Sequence, residues 1–406
     1  MSHLYFHVPF CRRRCSYCDF SIAVRKHVPA REYVQAVQTE LAAIRTSSGW
    51  ADPGAVPRGS WGPDLSTIYF GGGTPSLLPP DAIATLIQEA ISGGLTPGPR
   101  PGASGDDAVS GRLTPGPRPG VNDLEVTLEA NPEDVTPETA AAWRHAGVNR
   151  ISLGAQSFDD RVLRWMHRVH DAARIGEAVR TLRTAGFDNV SLDLIFALPA
   201  ELERDWGRDL DAAIRLAPDH LSLYGLTIEE RTPLARWVSR GAAAAPDDDR
   251  YAEEYLIAHE RLGGAGFVFY EVSNAARDGR RSRHNAAYWS GRPYRGLGPA
   301  AHSFDGRSRF WNLAAWEAYR RAVAAGRSPV EAEEVLTEEQ RELERIYLGL
   351  RTTEGIALSD CPTVRQSDWV RAGWVEVAGD RVVCRAEGWL RLDALVRDLT
   401  LSAAGS

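Results

Sequence analysis

The sequence predicts an α/β protein, a sheet or barrel of parallel strands, with a small α+β unit after it. Three observations carry this. Short apolar runs alternate six times with helix-period segments between residues 4 and 226, the pattern of strands joined by helical crossovers. Polar residues recur in phase with the ends of those runs. Residues 311–406 then read differently, as helix, hairpin, helix.

Each element has its own signal. Leu4–Val8 is a buried-strand run closed by Pro9. Residues 30–46 place Tyr33, Val37, Leu41 and Ile44 at helical spacing, and 47–64 read as a loop. Leu65–Phe70 is the second strand, followed by Gly71-Gly-Gly-Thr-Pro75, then a helix over 80–91. Residues 92–122 hold the octet LTPGPRPG twice, at 95–102 and 113–120. Such a segment buries too little apolar surface to offset its ordering entropy, so a disordered insert is expected. Leu124–Glu129 is the third strand, and Thr136-Pro137 opens a helix that Gly147 ends. Arg150–Leu153 is the fourth strand, Asp171 caps a helix over 172–185, and Gly186 stops it. Val190–Ile195, a helix over 201–216 and Leu221–Leu226 complete the series. In the tail, Thr337 and Gln340 form a capping-box pattern. Strands at 374–377 and 381–384 flank Gly379-Asp380, and a helix follows at 387–398. The expected units are 1–235, 236–310 and 311–406.

Composition narrows the function classes. The chain has 406 residues, is 43% hydrophobic and carries a net charge of −7. That supports a real core and argues against a dedicated nucleic-acid binder. Lys26 is the only lysine, so the many arginines reflect composition bias more than phosphate binding. No apolar run is long enough to span a membrane, and the start lacks a secretory pattern. Clustered thiols without an export signal place the chain in the reducing cytoplasm.

The chemistry concentrates in Cys11-Arg-Arg-Arg-Cys15-Ser-Tyr-Cys18, three of five cysteines within eight residues. Such spacing suits an iron–sulfur cluster or, with His7 or His27 as a fourth ligand, zinc. A four-iron cluster held by three thiolates leaves one iron open to a small molecule. The next alternate position is Phe20, not a fourth thiol. After the other strands stand Gly71–Thr74, Glu129, Gln156 and Thr227, with Asp193 inside the fifth. In a barrel of parallel strands these converge on one C-terminal mouth, where active sites are built.

The C-x3-C-x2-C spacing, with Tyr17 before the last cysteine, resembles the cluster loop of the radical S-adenosylmethionine (SAM) family. With YFGGGTPS at 69–76, LEANP at 128–132, GAQSF at 154–158, MHRVH at 166–170 and SLDLIFALP at 191–199, the order resembles its coproporphyrinogen-oxidase-like branch. That resemblance implies a partial (β/α)6 TIM-type barrel with a winged-helix-like C-terminal domain. It implies a [4Fe-4S] cluster on Cys11, Cys15 and Cys18, and SAM held by Tyr5, Tyr17, Gly72, Gly73, Thr74, Glu129, Gln156, Arg168, Asp193 and Thr227. Glu129 would take the ribose hydroxyls and Arg168 the SAM carboxylate.

Two functions compete within the branch. One is oxygen-independent oxidative decarboxylation of coproporphyrinogen III in porphyrin biosynthesis. The other is binding heme and passing it to an acceptor protein. Phe20, the short segment before Cys11, and HNAAYW at 284–289 with GLGPAAHS at 296–303 are more similar to the heme chaperones. The expected partners are heme and an unidentified acceptor protein, with peripheral association to membrane-bound acceptors and no nucleic acid. His284 is the first-choice heme contact and His302 the second; the plain alternative is a hydrogen-bonded structural role for both. Ala197, Ala200 and Ala300 stand where this family usually has glycine, and the added methyls narrow a ligand's approach.

Overall fold

The computed structural model describes residues 2–45, 65–92 and 123–403. The expected loop at 47–64 lies wholly outside the described residues, and so does the expected insert over 93–122. Six parallel strands form the centre: β1 (His3–Val8), β2 (Thr67–Gly72), β3 (Glu125–Ala130), β4 (Arg150–Gln156), β5 (Val190–Phe196) and β6 (His220–Gly225). Three further strands extend the sheet at its edges: β7 (Val268–Glu271), β8 (Asn274–Ala276) and β9 (Arg295–Leu297). Among the described residues the order is β9-β1-β2-β3-β4-β5-β6-β8-β7. β9 runs parallel to β1, while β8 and β7 are antiparallel additions. The sheet therefore curves as an open barrel with two edges.

Period-two alternation decides which residues face which way. Ile68, Phe70, Val126, Leu128, Ile151, Leu153, Leu192, Leu194, Leu221 and Leu223 are buried in the main core. The alternate positions on the same strands are Tyr69, Thr127, Glu129, Ser152, Asp193 and Ser222. One side of the sheet is thus apolar and packs on helices, and the other is polar. The expected helices form with their expected signals. Thr136 and Thr139 close a capping box, and Gly147 ends that helix in the left-handed region at φ 105°. Asp171 accepts from the Arg174 amide.

Two helix expectations need correction. The helix expected over 201–216 begins at Trp206, because Glu203 sits at φ 45° and Asp205 supplies the cap. Residues 387–398 are not one helix but Ala386–Trp389 and Leu392–Ala403. The C-terminal hairpin, Val375–Ala378 with Arg381–Cys384, gains a third strand at Ile356–Ala357 and a helix at Thr363–Arg371. A further three-stranded sheet joins β10 (His302–Phe304), β11 (Ser308–Asn312) and β12 (Val330–Val335).

The helix Glu338–Arg351 fastens this tail to the edge of the main sheet. Arg351 pairs with buried Glu271 at 2.8 Å, and its guanidinium lies 4.1 Å over the Trp289 ring. The Thr353 amide donates to the Tyr270 carbonyl at 3.1 Å.

Candidate functional site: two cavities that meet at Phe20

The cysteine loop is pinned before any metal is considered. Phe10–Cys11 pairs with Ala23–Val24 in a two-residue parallel bridge. The Ser16 amide donates to Met166 O, and the Leu234 amide donates to Ser16 O. Gly73 is needed for this packing. A Cβ there would stand 2.7 Å from the Phe10 carbonyl oxygen, closer than real contacts allow. Gly72 adopts φ 113°, a region open to glycine. Gly73 thus serves the seat of the cysteine loop, while a Cβ at Gly72 would stand 2.7 Å from the His7 ring.

A cavity of about 350 Å³ opens beside the loop. Cys11, Cys15, Cys18, Tyr17, Gly72, Gly73, Thr74, Glu129, Gln156, Arg168, Asp193 and Thr227 all line it. Thr74 Oγ1 lies 3.4 Å from Cys11 Sγ. Arg168 reaches Cys15 Sγ at 3.5 Å and donates to Asn131 Oδ1 and the Gly154 carbonyl. Glu129 accepts from Tyr69 Oη at 2.8 Å and from the Gly72 amide at 3.1 Å. Burial pushes its carboxyl up to about 7. Ser152 Oγ donates to both Asp193 oxygens, at 3.0 and 3.1 Å, and burial raises that carboxyl too. Gln156 ends β4 at φ 69°, a strained backbone for a residue with a side chain, of the kind found at ligand sites.

The donor set fits the groups that the motifs imply. Three soft thiols share the cavity with carboxylates and a guanidinium, which match hydroxyl, ammonium and carboxylate groups of a polar ligand. Burial raises the Cys11 and Cys18 thiols, the latter to about 11. A bound cationic cluster would reverse this by holding them as thiolates. Among the described residues no three His, Cys, Asp or Glu side chains are arranged to hold a single metal ion. A four-iron cube asks for something else, a thiolate on each of several irons. Asn131, Ser152 and Tyr69 were not singled out from the sequence. Asn131 lies within the LEANP motif, and Tyr69 and Ser152 alternate along strands already recognised.

Tyr5 stands elsewhere. It lines a second, larger cavity of about 1200 Å³, its hydroxyl 3.2 Å from His7 Nδ1. The His7 Nε2 sits 3.3 Å from the Ser21 carbonyl, so both ring nitrogens have partners away from the cysteine loop. Asp19, Phe20 and Gly72 line both cavities. Phe20 is 57% exposed and forms part of the wall between them.

His284 lies inside the barrel. It is 1% exposed, with Nδ1 2.7 Å from Thr67 Oγ1 and Nε2 2.9 Å from Tyr288 Oη. Burial lowers its pKa to about 3. Ser282 caps the helix Arg283–Trp289, and Glu125 accepts from the amides of Arg283 and His284. In this arrangement both His284 ring nitrogens are engaged by protein partners, the hydrogen-bonded structural role that the sequence left open beside heme contact. Its motif partners Tyr288 and Trp289 do line the larger cavity, and so does His302. Ala197 and Ala300 adopt φ 56° and 58°, whereas Ala200 falls in a 3-10 turn. At the first two positions the usual glycine answers a left-handed backbone.

An open barrel of parallel strands with a three-cysteine loop at its polar mouth defines a radical SAM protein, and residues 56–213 match the radical SAM superfamily. The chain is 37% identical to the heme chaperone HemW of Mycobacterium tuberculosis, over 98% of this chain and 94% of that protein. It is 33% identical to the heme chaperone HemW of Bacillus subtilis, over 88% and 85%. The coproporphyrinogen III oxidase HemN of Escherichia coli superposes with a TM-score of 0.74 at 19% identity, covering 98% of this chain and 89% of that one. That last likeness speaks for the fold alone. The chain belongs to the HemW family within the coproporphyrinogen-oxidase-like branch of radical SAM proteins. The superfamily implies a [4Fe-4S] cluster and SAM. Among the described residues no helix is long and apolar enough to cross a membrane.

Proposed function

We propose that this chain binds heme and hands it to an acceptor protein, carrying a [4Fe-4S] cluster and SAM beside the heme site. The observation that carries this is the meeting of two unlike cavities at Phe20, one polar with the cysteine loop, one large and aromatic. The similarity to proteins named heme chaperones, running over most of the chain, supports it. Cys11, Cys15 and Cys18 would hold the cluster, which supplies electrons to SAM when bound. Arg168 would pair with the SAM carboxylate through its planar fork. Glu129 and Asp193 would accept from hydroxyl or ammonium groups, and Gln156 would orient the ligand between them. Contact with membrane-bound acceptors would be peripheral, and the cytoplasm remains the proposed compartment.

One set of spectra tests this. Anaerobically purified protein should show iron–sulfur absorption, and added heme should give a Soret band. With SAM and a reductant, coproporphyrinogen III should release no carbon dioxide. Robust release would move the assignment to the oxidase, and one zinc with no iron would remove the cluster.

A further inference from the structure

Two histidines, His7 and His302, line the larger cavity, and a third, His284, is buried behind Tyr288. Of the three, only His302 has both ring nitrogens without a hydrogen-bond partner among the described residues. His7 and the His284–Tyr288 pair commit theirs to protein partners. His302 makes no ring hydrogen bond with a described residue, is exposed, and lines the cavity. It is not loose. Its backbone lies in β10 against Trp311, and its ring stacks on the Trp311 indole at 5.6 Å and 22°. Burial, with Arg309 nearby, lowers its pKa, which keeps the imidazole neutral, the form that ligates iron.

The rest of the wall suits one ligand shape. Tyr288, Trp289, Tyr294 and Phe304 give flat apolar surface. Arg309 pairs with Glu344 at 2.6 Å and lies over the Phe304 ring. Arg341, on the helix Glu338–Arg351, lines the same cavity and makes no side-chain hydrogen bond or ion pair with a described residue. An imidazole, flat aromatic walls and an uncommitted guanidinium match a planar iron macrocycle with carboxylate arms. At about 1200 Å³ the space exceeds what an ordinary metabolite fills.

We infer that heme occupies this cavity, with His302 as the axial ligand to iron and Arg341 pairing with a propionate. This rests on the heme-binding function proposed above. It departs from the HNAAYW-centred expectation, because there the aromatics form wall and His284 forms frame.

The test is a heme titration of the full chain by Soret absorbance, beside metal-free protoporphyrin followed by fluorescence. His302→Ala should shift the Soret band and weaken heme about tenfold or more, while metal-free porphyrin binds within about twofold of wild type. Arg341→Ala should weaken both porphyrins about fivefold, and lose that effect when the propionates are esterified. His302 is exposed, so neither variant should unfold, which circular dichroism and the cluster spectrum verify. If wild type binds heme and both variants match it, the site lies elsewhere and this inference falls while the function stands. A Soret shift in His284→Ala but not in His302→Ala has the same meaning. A wild type that binds no heme overturns the function and the site together.

Discussion

The two cavities share a wall and little else. The smaller one is made by one structural device used six times, since successive parallel strands deliver their ends to one mouth. Its polar groups hold one another: Tyr69 holds Glu129, Ser152 holds Asp193, and Asn131 holds Arg168. The larger one is assembled from distant parts: β1, the helix Arg283–Trp289, β10, β11 and the helix Glu338–Arg351. Arg309 and Arg345 are paired there with Glu344, Glu342 and Asp360, while Arg341 and His302 have no side-chain hydrogen-bond or ion-pair partner among the described residues. The difference teaches that a site for a small, many-armed ligand is prepaid in hydrogen bonds, whereas a site for a flat apolar one needs area and a few free groups.

That contrast can be broken or sharpened by experiment. The largest effect is expected for Cys15→Ala, which should remove iron and sulfide by elemental analysis while leaving the heme titration unchanged. Loss of both would mean that the cavities are not independent. Next, Glu129→Ala or Asp193→Ala should weaken SAM by about 1–3 kcal/mol in calorimetry, because hydroxyls are left unpaired. Heme affinity should not follow. His284→Ala should cost about 2 kcal/mol in denaturant unfolding, since Tyr288 loses its partner and Thr67 keeps only His3, yet keep the Soret position. A smaller effect is carried by pH. Burial holds Glu129 at about 7 instead of 4.5. An acid with a raised folded value stabilises fully below pH 4.5 and loses that contribution as pH climbs through about 7. Urea midpoints of SAM-free protein should decline across that window, and Glu129→Gln should flatten the decline. Smallest is Ala300→Gly. Relief of the left-handed alanine should add about 0.5–1 kcal/mol, the methyl's strain outweighing glycine's entropy.

How much was readable follows from the same contrast. The six central strands and the residues at their mouth repeat a local pattern, so Cys11–Cys18, Glu129, Gln156 and Asp193 could be placed from spacing. β7, β8 and β9 are three or four residues long, too short for periodicity to speak. Tyr5 sits on a recognised strand, but which cavity it lines depends on where β9 and the helix Arg283–Trp289 pack. His284 shows the limit most clearly. A histidine amid aromatics reads the same whether its nitrogens are free or spent, and only Thr67, over two hundred residues away, decides. The alanines at 197 and 300 were noticed as departures, but as bulk near a ligand; their positive φ is a backbone property that composition does not carry.

Because Asp19, Phe20 and Gly72 belong to both cavities, occupancy of one would be felt at the rim of the other. The consequence concerns timing. A macrocycle packed against that common wall would narrow the neighbouring entrance, so on the proposed function SAM is expected to arrive first and depart last. In stopped-flow mixing, heme added beforehand should slow SAM association, while SAM added beforehand should leave the heme rate as it was. Equal rates in both orders would show that the wall separates the two ligands completely.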